Sequence, residues 1–521
     1  MLMSGHDYRE SLRRYSPRVF VSGRLVESVV DEPLLAPGVN GVALTYDFAR
    51  REDCASLLRA SRADLAGGQA VNRLIAIPAS NRDLLDKLEA VRLVCQETGC
   101  AQRYLGGDAL AAIHQTTSRV DAEFGTAYGE RFRAYLERVY AEDWALGVAM
   151  TDGKGDRSRR PSQQANPDVY VRIAERRLDG IVLAGVKAII TGAPYMHELL
   201  VLPGRNMTAA DADYAVCCAV PVDAENLTLI ARPAGRPGEP AASFSARYGQ
   251  STAVAVFDRV FVPWERVFLA GEWAHSGFLT HQYATHHRHT CIGARAGFGD
   301  LLIGAGALMT EANGLDLDRT GHLREAMVEL IQIVEGFFAC GVAASVYGVP
   351  DPAGVMVPEP VFANIGKLLL ATRIYDMHRI AHQVSGGLIV TLPGPEEDHN
   401  PATAGRLSEL LAARSDIPYE KRIAVARFIE DLTASYQGGW YSVISLHGGG
   451  SPEAMRREIW RRYPVGDKVE LVERLLEHGV LADGTRRLTR QPGRCCAMGC
   501  EAPTASSETP LAPVREPDDP R

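Results

Sequence analysis

The hydrophobic period of this chain changes twice, and that change constrains the fold more than any other feature. Up to about residue 145, apolar residues recur at helical intervals, for example over residues 81–97 and 106–140. From residue 151 to about residue 269, short runs rich in Val, Ile and Leu are bounded by Gly, Asp, Asn or Pro, as strands are. From residue 273 the long helical patterns return. The chain is therefore expected to place a sheet region between two helical regions.

We predict an α+β fold with three domains and a tail. Residues 1–148 form a mostly helical N-terminal domain. Residues 149–272 form a β-domain, and short strands at this spacing favour a barrel. Residues 273–490 form a C-terminal helical bundle. The remaining residues, 491–521, are rich in Pro, Ser, Glu and Arg and are predicted to be disordered.

Composition excludes several classes of partner. The 521 residues are 46% apolar and 23% charged, as in ordinary globular proteins, and the net charge of −8 gives no electrostatic case for nucleic acid. The N-terminus lacks the apolar segment of a secretory signal, and we find no apolar run of the length that crosses a membrane. Ten cysteines in this length do not make a disulfide framework. We expect a cytoplasmic protein without a nucleic-acid or membrane partner.

A polar, glycine-rich stretch over residues 151–198 is the first candidate binding site. It begins with the sequence TDGKGDR at 151–157 and reaches Thr191 and Gly192 at the end of a predicted strand. Hydroxyls and glycines at strand ends let backbone N–H and C=O groups approach a flat polar ligand, such as an isoalloxazine ring. An ordinary polar loop before a sheet has the same composition. The residues alone leave both interpretations open.

Three histidines, His286, His287 and His289, form the densest group of titratable residues. Imidazoles change charge near neutral pH and serve as acids, bases or metal ligands. On a helix, His286 and His289 share one face, while His287 points elsewhere. We interpret His286 and His289 as packing or surface residues, because most histidines are not catalytic.

Seven motifs occur in one order along nearly the whole chain, from Tyr8 to about Arg490. They are YRESL at 8–12, TGCAQR at 98–103, TDGKGDR at 151–157, FVPWERV at 261–267, GDLLIG at 299–304, SGG at 385–387 and HGGGSP at 447–452. Together they resemble the superfamily of 4-hydroxyphenylacetate 3-monooxygenase oxygenase components and, more closely, its 4-hydroxybutyryl-CoA dehydratase branch. The resemblance implies an acyl-CoA dehydrogenase-like fold, with FAD held between a β-barrel domain and a helical bundle.

The resemblance also implies which residues contact the flavin. From the β-domain these are Met150, Thr151, Asp152, Arg157, Gln163, Thr191 and Gly192. From the bundle, Gly449, Gly450 and Ser451 are implied to contact a phosphate or the ribityl chain. Exposed loop N–H groups form an anion-binding nest of this kind. The same loop also fits the start of a helix, with Pro452 at its first position.

The dehydratase branch carries a [4Fe-4S] cluster held by two cysteines four residues apart, a histidine, and a cysteine seven residues after it. On this chain those positions fall on Cys100, Tyr104, His287 and Ala294. Since half of the ligands are missing, we predict no iron–sulfur cluster and no other metal. A rebuilt cluster that uses Cys95 and Cys291 stays open as an alternative. Cys495, Cys496 and Cys500 look like a metal or redox motif, but no histidine or second cysteine pair accompanies them.

The hydroxylase branch holds its phenol with an arginine, a tyrosine four residues later, and a histidine before the flavin loop. Arg103 matches the arginine, but Gly107 stands four residues on and Val148 stands near the histidine position. The phenol-binding set is therefore incomplete too.

The leading hypothesis is a two-component monooxygenase. An NAD(P)H:flavin reductase would supply FADH2, and the enzyme would use O2 to hydroxylate a small, phenolic or other aromatic substrate. His287 would act as acid or base, Arg103 would orient the substrate, and Tyr104 would border the same cavity. The alternatives are a redox-neutral dehydratase or isomerase of a CoA thioester, and a flavin-binding subunit without catalysis.

A homotetramer is expected, as the resemblance implies. Two long apolar stretches of the bundle, 325–347 and 358–384, contain more apolar surface than one monomer face should expose.

Overall fold

The computed structural model of the chain describes residues 2–61, 68–235 and 242–478. The predicted tail, with Cys495, Cys496 and Cys500, lies outside the described residues. The helices are α1 Gly5–Leu12, α2 Ala36–Arg50, α3 Ala55–Leu58, α4 Asn81–Thr98, α5 Tyr104–Phe124, α6 Tyr128–Ala141, α7 Ser243–Tyr248, α8 Ser276–Ala312, α9 Gly321–Val346, α10 Pro360–Val384, α11 Ala404–Leu410, α12 Tyr419–Thr433, α13 Tyr436–His447, α14 Pro452–Arg462 and α15 Val465–His478. The predicted order of helices, strands and helices is confirmed, and with it the α+β class.

The strands are short except for two. They are β1 Arg18–Val21, β2 Arg24–Leu25, β3 Arg59–Ser61, β4 Ala70–Asn72, β5 Leu146–Ala149, β6 Arg172–Arg176, β7 Gly180–Thr191, β8 Glu198–Val201, β9 Val216–Pro221, β10 Leu227–Ala231, β11 Thr252–Pro263, β12 Val267–Ala270, β13 Val349–Pro350 and β14 Met356–Val357. The long strands β7 and β11 pair antiparallel from Gly180↔Pro263 to Thr191↔Thr252.

The strands form separate sheets, and the predicted barrel is not confirmed. One sheet has the order β2-β1-β10-β11-β7-β6, and another has the order β12-β9-β8-β5. Strand spacing along the sequence fits either a barrel or two sheets, because spacing does not say which edges pair. Strand β1 comes from the N-terminal region and pairs parallel with β10. The larger sheet therefore includes residues that the helical pattern assigned to the first domain.

The connection between α4 and α5 shows how the sequence delivers residues to one place. The side chain of Ser80 accepts the backbone N–H of Asp83 and begins α4. Gly99 ends the helix with a φ of 67°, a left-handed value that glycine adopts at little cost. Helix α5 then begins at Tyr104. Cys100 and Tyr104 therefore lie next to this turn.

Helix α8 runs through the centre of the molecule and packs against α4, α5, α9 and α10. Its glycines allow the backbone of α4 to come close. A Cβ atom on Gly293 would lie 2.5 Å from the carbonyl oxygen of Leu88, and one on Gly297 would collide with the carbonyl of Arg92. This close crossing holds the middle of α8 beside the α4–α5 turn.

Two helices are long and apolar enough to cross a membrane, by length and composition alone. In the one over residues 273–312, 61% of the most apolar window is buried inside the protein, which is typical of a core helix. In the one over residues 321–346 the buried share is 39%. Val328, Ile331 and Val346 are among the exposed apolar residues of this second helix, α9.

Candidate functional site

A small cavity of about 40 Å³ lies where the α4–α5 turn, the end of β7, the middle of α8, and helices α10 and α13 meet. The positions on which the cluster pattern of the dehydratase branch falls, Cys100, Tyr104, His287 and Ala294, all line it. So does Thr191, at the end of β7, and Gly448, directly after α13. The cavity therefore brings together residues that are up to 348 positions apart, counted from Cys100 to Gly448.

Helix α8 contributes one face to this cavity. His287, Cys291 and Arg295 follow one another at intervals of four residues, so they project from the same side of the helix. All three line the cavity. A histidine, a thiol and a guanidinium group are thus presented together on a rigid element.

His287 lies between a carboxylate and a thiol. Its Nδ1 is 3.3 Å from Oδ2 of Asp108, and its Nε2 is 3.4 Å from Sγ of Cys291. The imidazole ring stacks on Tyr283 with centroids 5.3 Å apart, and Tyr104 lies on it at 6.2 Å. These contacts fix both the position and the plane of the ring.

Asp108 is itself held in place. Its Oδ1 pairs with Nζ of Lys87 at 3.2 Å, and its Oδ2 accepts a hydrogen bond from Oγ1 of Thr290 at 2.6 Å. Asp108 and Lys87 are both buried, at 1% and 3% exposure. A carboxylate fixed in this way orients the histidine beside it.

Charge pairing sets the protonation states of His287 and Cys291. Burial lowers the pKa of His287, but Cys291 and Asp108 outweigh it and raise the pKa to about 9. Burial raises the pKa of the Cys291 thiol, but the adjacent His287 outweighs it and lowers the pKa below its usual value of 9.0. Each group therefore favours the charged form of the other, an imidazolium beside a thiolate.

Two buried cations, Lys367 and Arg295, also face the cavity. Nζ of Lys367 donates to the carbonyl of Ser445 at 2.6 Å, and Nη2 of Arg295 approaches Sγ of Cys100 at 3.9 Å. Among the residues that the structure describes, neither cation has a carboxylate oxygen within 4.0 Å. Burial lowers the pKa of Lys367 to about 8. The cavity therefore favours an anionic or strongly polarised group.

The two neighbouring histidines have a different environment. Nε2 of His286 hydrogen-bonds to Gln115 at 3.1 Å, and Nε2 of His289 bonds to Oγ of Ser345 at 2.8 Å. Burial lowers their pKa values to about 3 and about 4. Both are neutral packing residues, in keeping with the interpretation from helical spacing.

The predicted flavin residues of the β-domain are only partly brought to the cavity. Thr191 lines it, and Arg157 is exposed on the loop. The carboxylate of Asp152 instead pairs with Nζ of Lys187 at 2.7 Å and accepts the N–H of Val171, so its side chain is already engaged within the sheet. Gln163 accepts the backbone N–H of Arg160 at 3.1 Å.

Met150, Thr151 and Gly192 are also used within the protein. The carbonyl of Met150 accepts a hydrogen bond from Nζ of Lys187 at 2.8 Å, and the carbonyl of Thr151 accepts one from the N–H of Ala188. Gly192 has a φ of 74°, and its N–H donates to the carbonyl of Ser251. These contacts fix the strand ends beside the cavity.

The glycine loop after α13 meets α8 directly. Gly449 and Gly450 have φ values of 75° and 104°, which other residues rarely adopt. Nε of Arg288 donates to the carbonyl of Gly449 at 2.8 Å. Ser451 caps α14 by accepting the N–H of Ala454, and Pro452 is the first residue of that helix, so the helix-start interpretation of this loop is correct.

Arg103 lies outside the cavity lining. Its guanidinium lies 3.7 Å from the ring centroid of Tyr46, and Nη2 bonds to both the carboxylate and the carbonyl of Asp143. It is fully buried and does not line the cavity. Its predicted role in orienting the substrate stays a prediction, and the contacts seen here form a buried ion pair at the start of α5.

Cys291, Arg295, Lys367 and Asp108 are site residues that sequence reasoning missed or treated as doubtful. The four-residue spacing from His287 to Cys291 and Arg295 was a usable signal, because such residues share a helix face. Nothing in the sequence near Lys367 or Asp108 connects them to His287. Cys95, the other half of the rebuilt-cluster alternative, does not line the cavity, and its Sγ accepts the N–H of Ala101.

A buried cavity that brings together a histidine, a thiol and two cations has the composition of an enzyme active site. Comparison with protein families then identifies which kind. Residues 4–269 match the model of the 4-hydroxyphenylacetate 3-hydroxylase N-terminal domain, and residues 276–477 match the model of its C-terminal domain. The chain belongs to the 4-hydroxyphenylacetate 3-hydroxylase family, and the predicted resemblance is confirmed.

Two curated relatives represent the two branches. The chain is 36% identical over 488 residues to 4-hydroxybutyryl-CoA dehydratase/vinylacetyl-CoA-Δ-isomerase of Clostridium aminobutyricum, covering 91% of this chain and 99% of the relative. It is 25% identical over 484 residues to the 4-hydroxyphenylacetate 3-monooxygenase oxygenase component of Thermus thermophilus, covering 91% and 94%.

Solved structures show the same two branches. An oxygen-tolerant archaeal 4-hydroxybutyryl-CoA dehydratase from N. maritimus is similar with a TM-score of 0.87 and 34% identity, covering 93% of this chain and 97% of that one. The oxygenase component of 4-hydroxyphenylacetate 3-monooxygenase, complexed with FAD and 4-hydroxyphenylacetate, is similar with a TM-score of 0.82 and 23% identity, covering 92% and 99%. At 23% identity, the similarity to the oxygenase component establishes a shared fold alone.

Proposed function

We propose that this protein is a flavin-dependent enzyme that shifts a proton along the acyl chain of a CoA thioester. The observation that carries this proposal is the convergence of His287, Lys367 and Arg295 in one cavity, with Arg103 engaged elsewhere. A thioester enolate needs an acid–base group at carbon and a cation at oxygen. The greater identity to a relative named dehydratase and isomerase supports the same choice.

FAD is the cofactor that we propose. The two elements implied to hold it, the end of β7 and the loop after α13, contribute Thr191 and Gly448 to the cavity that contains His287. Gly449 and Gly450 supply a backbone with left-handed φ values, the conformation from which anion-binding nests for a phosphate or ribityl group are built. The residues present therefore fit a flavin. When bound, it would supply one- or two-electron chemistry beside the acyl chain.

The proposed proton shift uses this chain's own groups. His287 and Cys291 share a proton, and when that proton is on sulfur the neutral imidazole takes a proton from the α-carbon of the acyl chain. Lys367 and Arg295 stabilise the negative charge that develops on the thioester oxygen. The imidazolium then returns the proton to the γ-carbon, which moves the double bond without net oxidation. The apolar walls Leu370 and Trp440 help to exclude water from the charged groups.

The two-component monooxygenase stays as a second candidate. The family description on both halves of the chain is that of a hydroxylase, and Tyr104 and Ala294 occupy positions where cluster cysteines are expected. A hydroxylase of this family would need O2 and a small aromatic substrate to reach the same cavity. This candidate needs FADH2 from an NAD(P)H:flavin reductase, and His287 would again be the group that moves a proton.

One pair of assays separates the two candidates. The protein saturated with FAD is mixed anaerobically with vinylacetyl-CoA, and formation of the conjugated isomer is followed by absorbance. In parallel, the protein is reduced anaerobically with FAD and mixed with O2 and 4-hydroxyphenylacetate. Isomerisation, with no transient absorbance band of an oxygen adduct at the flavin C4a atom, supports the first proposal. An adduct band followed by a hydroxylated product, with no isomerisation, would replace it by the second.

We also propose a cytoplasmic homotetramer assembled through the bundle. The exposed apolar residues of α9 and α10, among them Ile331, Val346 and Leu369, support it. Light scattering should return a mass of about four chains. A clean monomer mass would contradict the proposal.

A further inference from the structure

The cavity face of α8 contains more than an acid–base histidine. Cys291 Sγ, His287 Nε2, His287 Nδ1 and Asp108 Oδ2 follow one another at 3.4 Å and 3.3 Å on either side of the ring. A nucleophile beside a base that is itself oriented by a carboxylate is the arrangement used for covalent catalysis. We propose that Cys291, His287 and Asp108 form a nucleophilic triad, in which Cys291 accepts the acyl group of a thioester.

The supporting residues keep this arrangement rigid. Asp108 is fixed by Lys87 and Thr290, and the ring of His287 is stacked on Tyr283. Neither Asp108 nor His287 is free to turn toward another partner. Asp108 is a positioning residue in this triad, since it acts on the acyl group only through His287.

The surroundings of the sulfur suit attack on a carbonyl. Lys367 and Arg295 are 1% and 5% exposed, line the same cavity, and have no carboxylate within 4.0 Å among the described residues. Their positive charges can stabilise the oxyanion that forms when a thioester is attacked. A second cysteine, Cys340, makes a useful contrast. Like Cys291 it is partly exposed, but its Sγ donates to the carbonyl of Gly336 in its own helix and, among the described residues, has no histidine beside it.

The step balances without an oxidant or reductant. The Cys291 thiolate attacks the thioester carbon, a new C–S bond forms, and the original C–S bond breaks. The leaving thiolate takes the proton from the His287 imidazolium, so the products are an S-acyl cysteine and a free thiol. The acyl donor class rests on the proposed function, because that proposal is what places a CoA thioester in the cavity.

The test uses the FAD-saturated protein and butyryl-CoA, a saturated thioester that cannot isomerise. Intact-mass measurement should show one added butyryl group per chain, peptide mapping should place it on Cys291, and free CoA should appear in equal amount. Cys291→Ser should remove the adduct, while Cys340→Ser should keep it. Circular dichroism melting confirms that each variant is folded.

Alkylation by iodoacetamide tests the triad without any thioester. At pH 7, Cys291 should react at least about tenfold faster than Cys340. Asp108→Asn should move the pH profile of Cys291 alkylation upward, because the imidazolium loses its carboxylate partner. A merely structural Asp108 would leave that profile unchanged. Equal alkylation of the two cysteines would overturn the proposal.

The two proposals fail in different ways. Isomerisation of vinylacetyl-CoA with no butyryl adduct on Cys291 overturns the triad and leaves the proposed function standing. A butyryl adduct on Cys291 without isomerisation supports the triad and contradicts the proposed proton shift. Absence of both, with rapid alkylation of Cys291, overturns the thioester as the acyl donor.

Discussion

Helix α8 carries the same side chain in two different roles. On the cavity face, His287 meets Asp108 and Cys291, and its pKa is raised to about 9. One and two residues away, His286 and His289 meet neutral partners, and burial lowers their pKa values to about 3 and about 4. All three are buried, so burial alone does not decide the charge. The groups in direct contact with each ring decide it: Cys291 and Asp108 for His287, and Gln115 and Ser345 for His286 and His289.

The largest expected difference between the two faces is catalytic. His287→Asn should lower turnover by at least about a hundredfold, since general acid–base catalysis contributes roughly 10²–10⁴ in rate. FAD affinity and melting temperature should stay near those of the wild type. The measurement is turnover per folded, FAD-loaded chain.

His289→Asn is the matched control for this prediction. It removes a buried imidazole from the same helix but from the other face, where it bonds to Ser345. Turnover per folded chain should change by less than about threefold, while the protein melts at a lower temperature. Equal loss of turnover in both variants would abolish the distinction between the faces.

The predicted division between His287 and its two neighbours depended on helical spacing together with the family resemblance, and both can be read from the sequence. Spacing separates His287 from His286 and His289 and places Cys291 and Arg295 on the side of His287. The order of helices and strands follows from hydrophobic period in the same way. The pairing of strand edges does not follow from it, and the strands of the predicted barrel are divided between a six-stranded and a four-stranded sheet.

The partners of His287 that are distant along the chain could not be predicted from the sequence. Asp108, Lys87 and Lys367 lie far from His287 along the chain, and only the crossing of α4, α5, α8 and α10 brings them together. Arg103 shows the converse. A match to a family position predicts a substrate contact, and nothing in the sequence indicates that the carboxylate of Asp143 and the ring of Tyr46 also surround the guanidinium.

A smaller difference should appear in acid. The unfolded chain protonates His286 below about pH 6.5, while the folded chain keeps it neutral down to about 3. The stability that this histidine contributes is therefore full above pH 6.5 and is lost as the pH falls toward 3. His286→Gln should flatten the fall in the free energy of unfolding between pH 6.5 and 5 by about 1–2 kcal/mol.

His287→Gln is the control for the acid measurement. Below pH 6.5 His287 is protonated in both states, because its folded pKa is raised to about 9, so its removal should leave the acid slope unchanged. Urea unfolding at a series of pH values supplies both slopes. A flattened acid slope in His287→Gln would mean that the imidazole is neutral when folded.

The smallest expected value is the iron content of the purified protein. Tyr104 and Ala294 supply no thiolate, so anaerobically purified protein should contain far less than one iron per chain. Iron and acid-labile sulfide analysis measures this. Near four irons per chain would make His287 a metal ligand and Cys291 a candidate thiolate ligand, and the contrast in charge between the two faces of α8 would no longer hold.

Hydrogen exchange into a thioester tests the central claim most directly. The FAD-saturated protein is incubated anaerobically with vinylacetyl-CoA in D2O, and deuterium in the acyl chain is measured by mass spectrometry. The account predicts incorporation by wild type and by His289→Asn, with incorporation by His287→Asn slower by at least about a hundredfold. Exchange at the wild-type rate in His287→Asn, or none in the wild type, would contradict it.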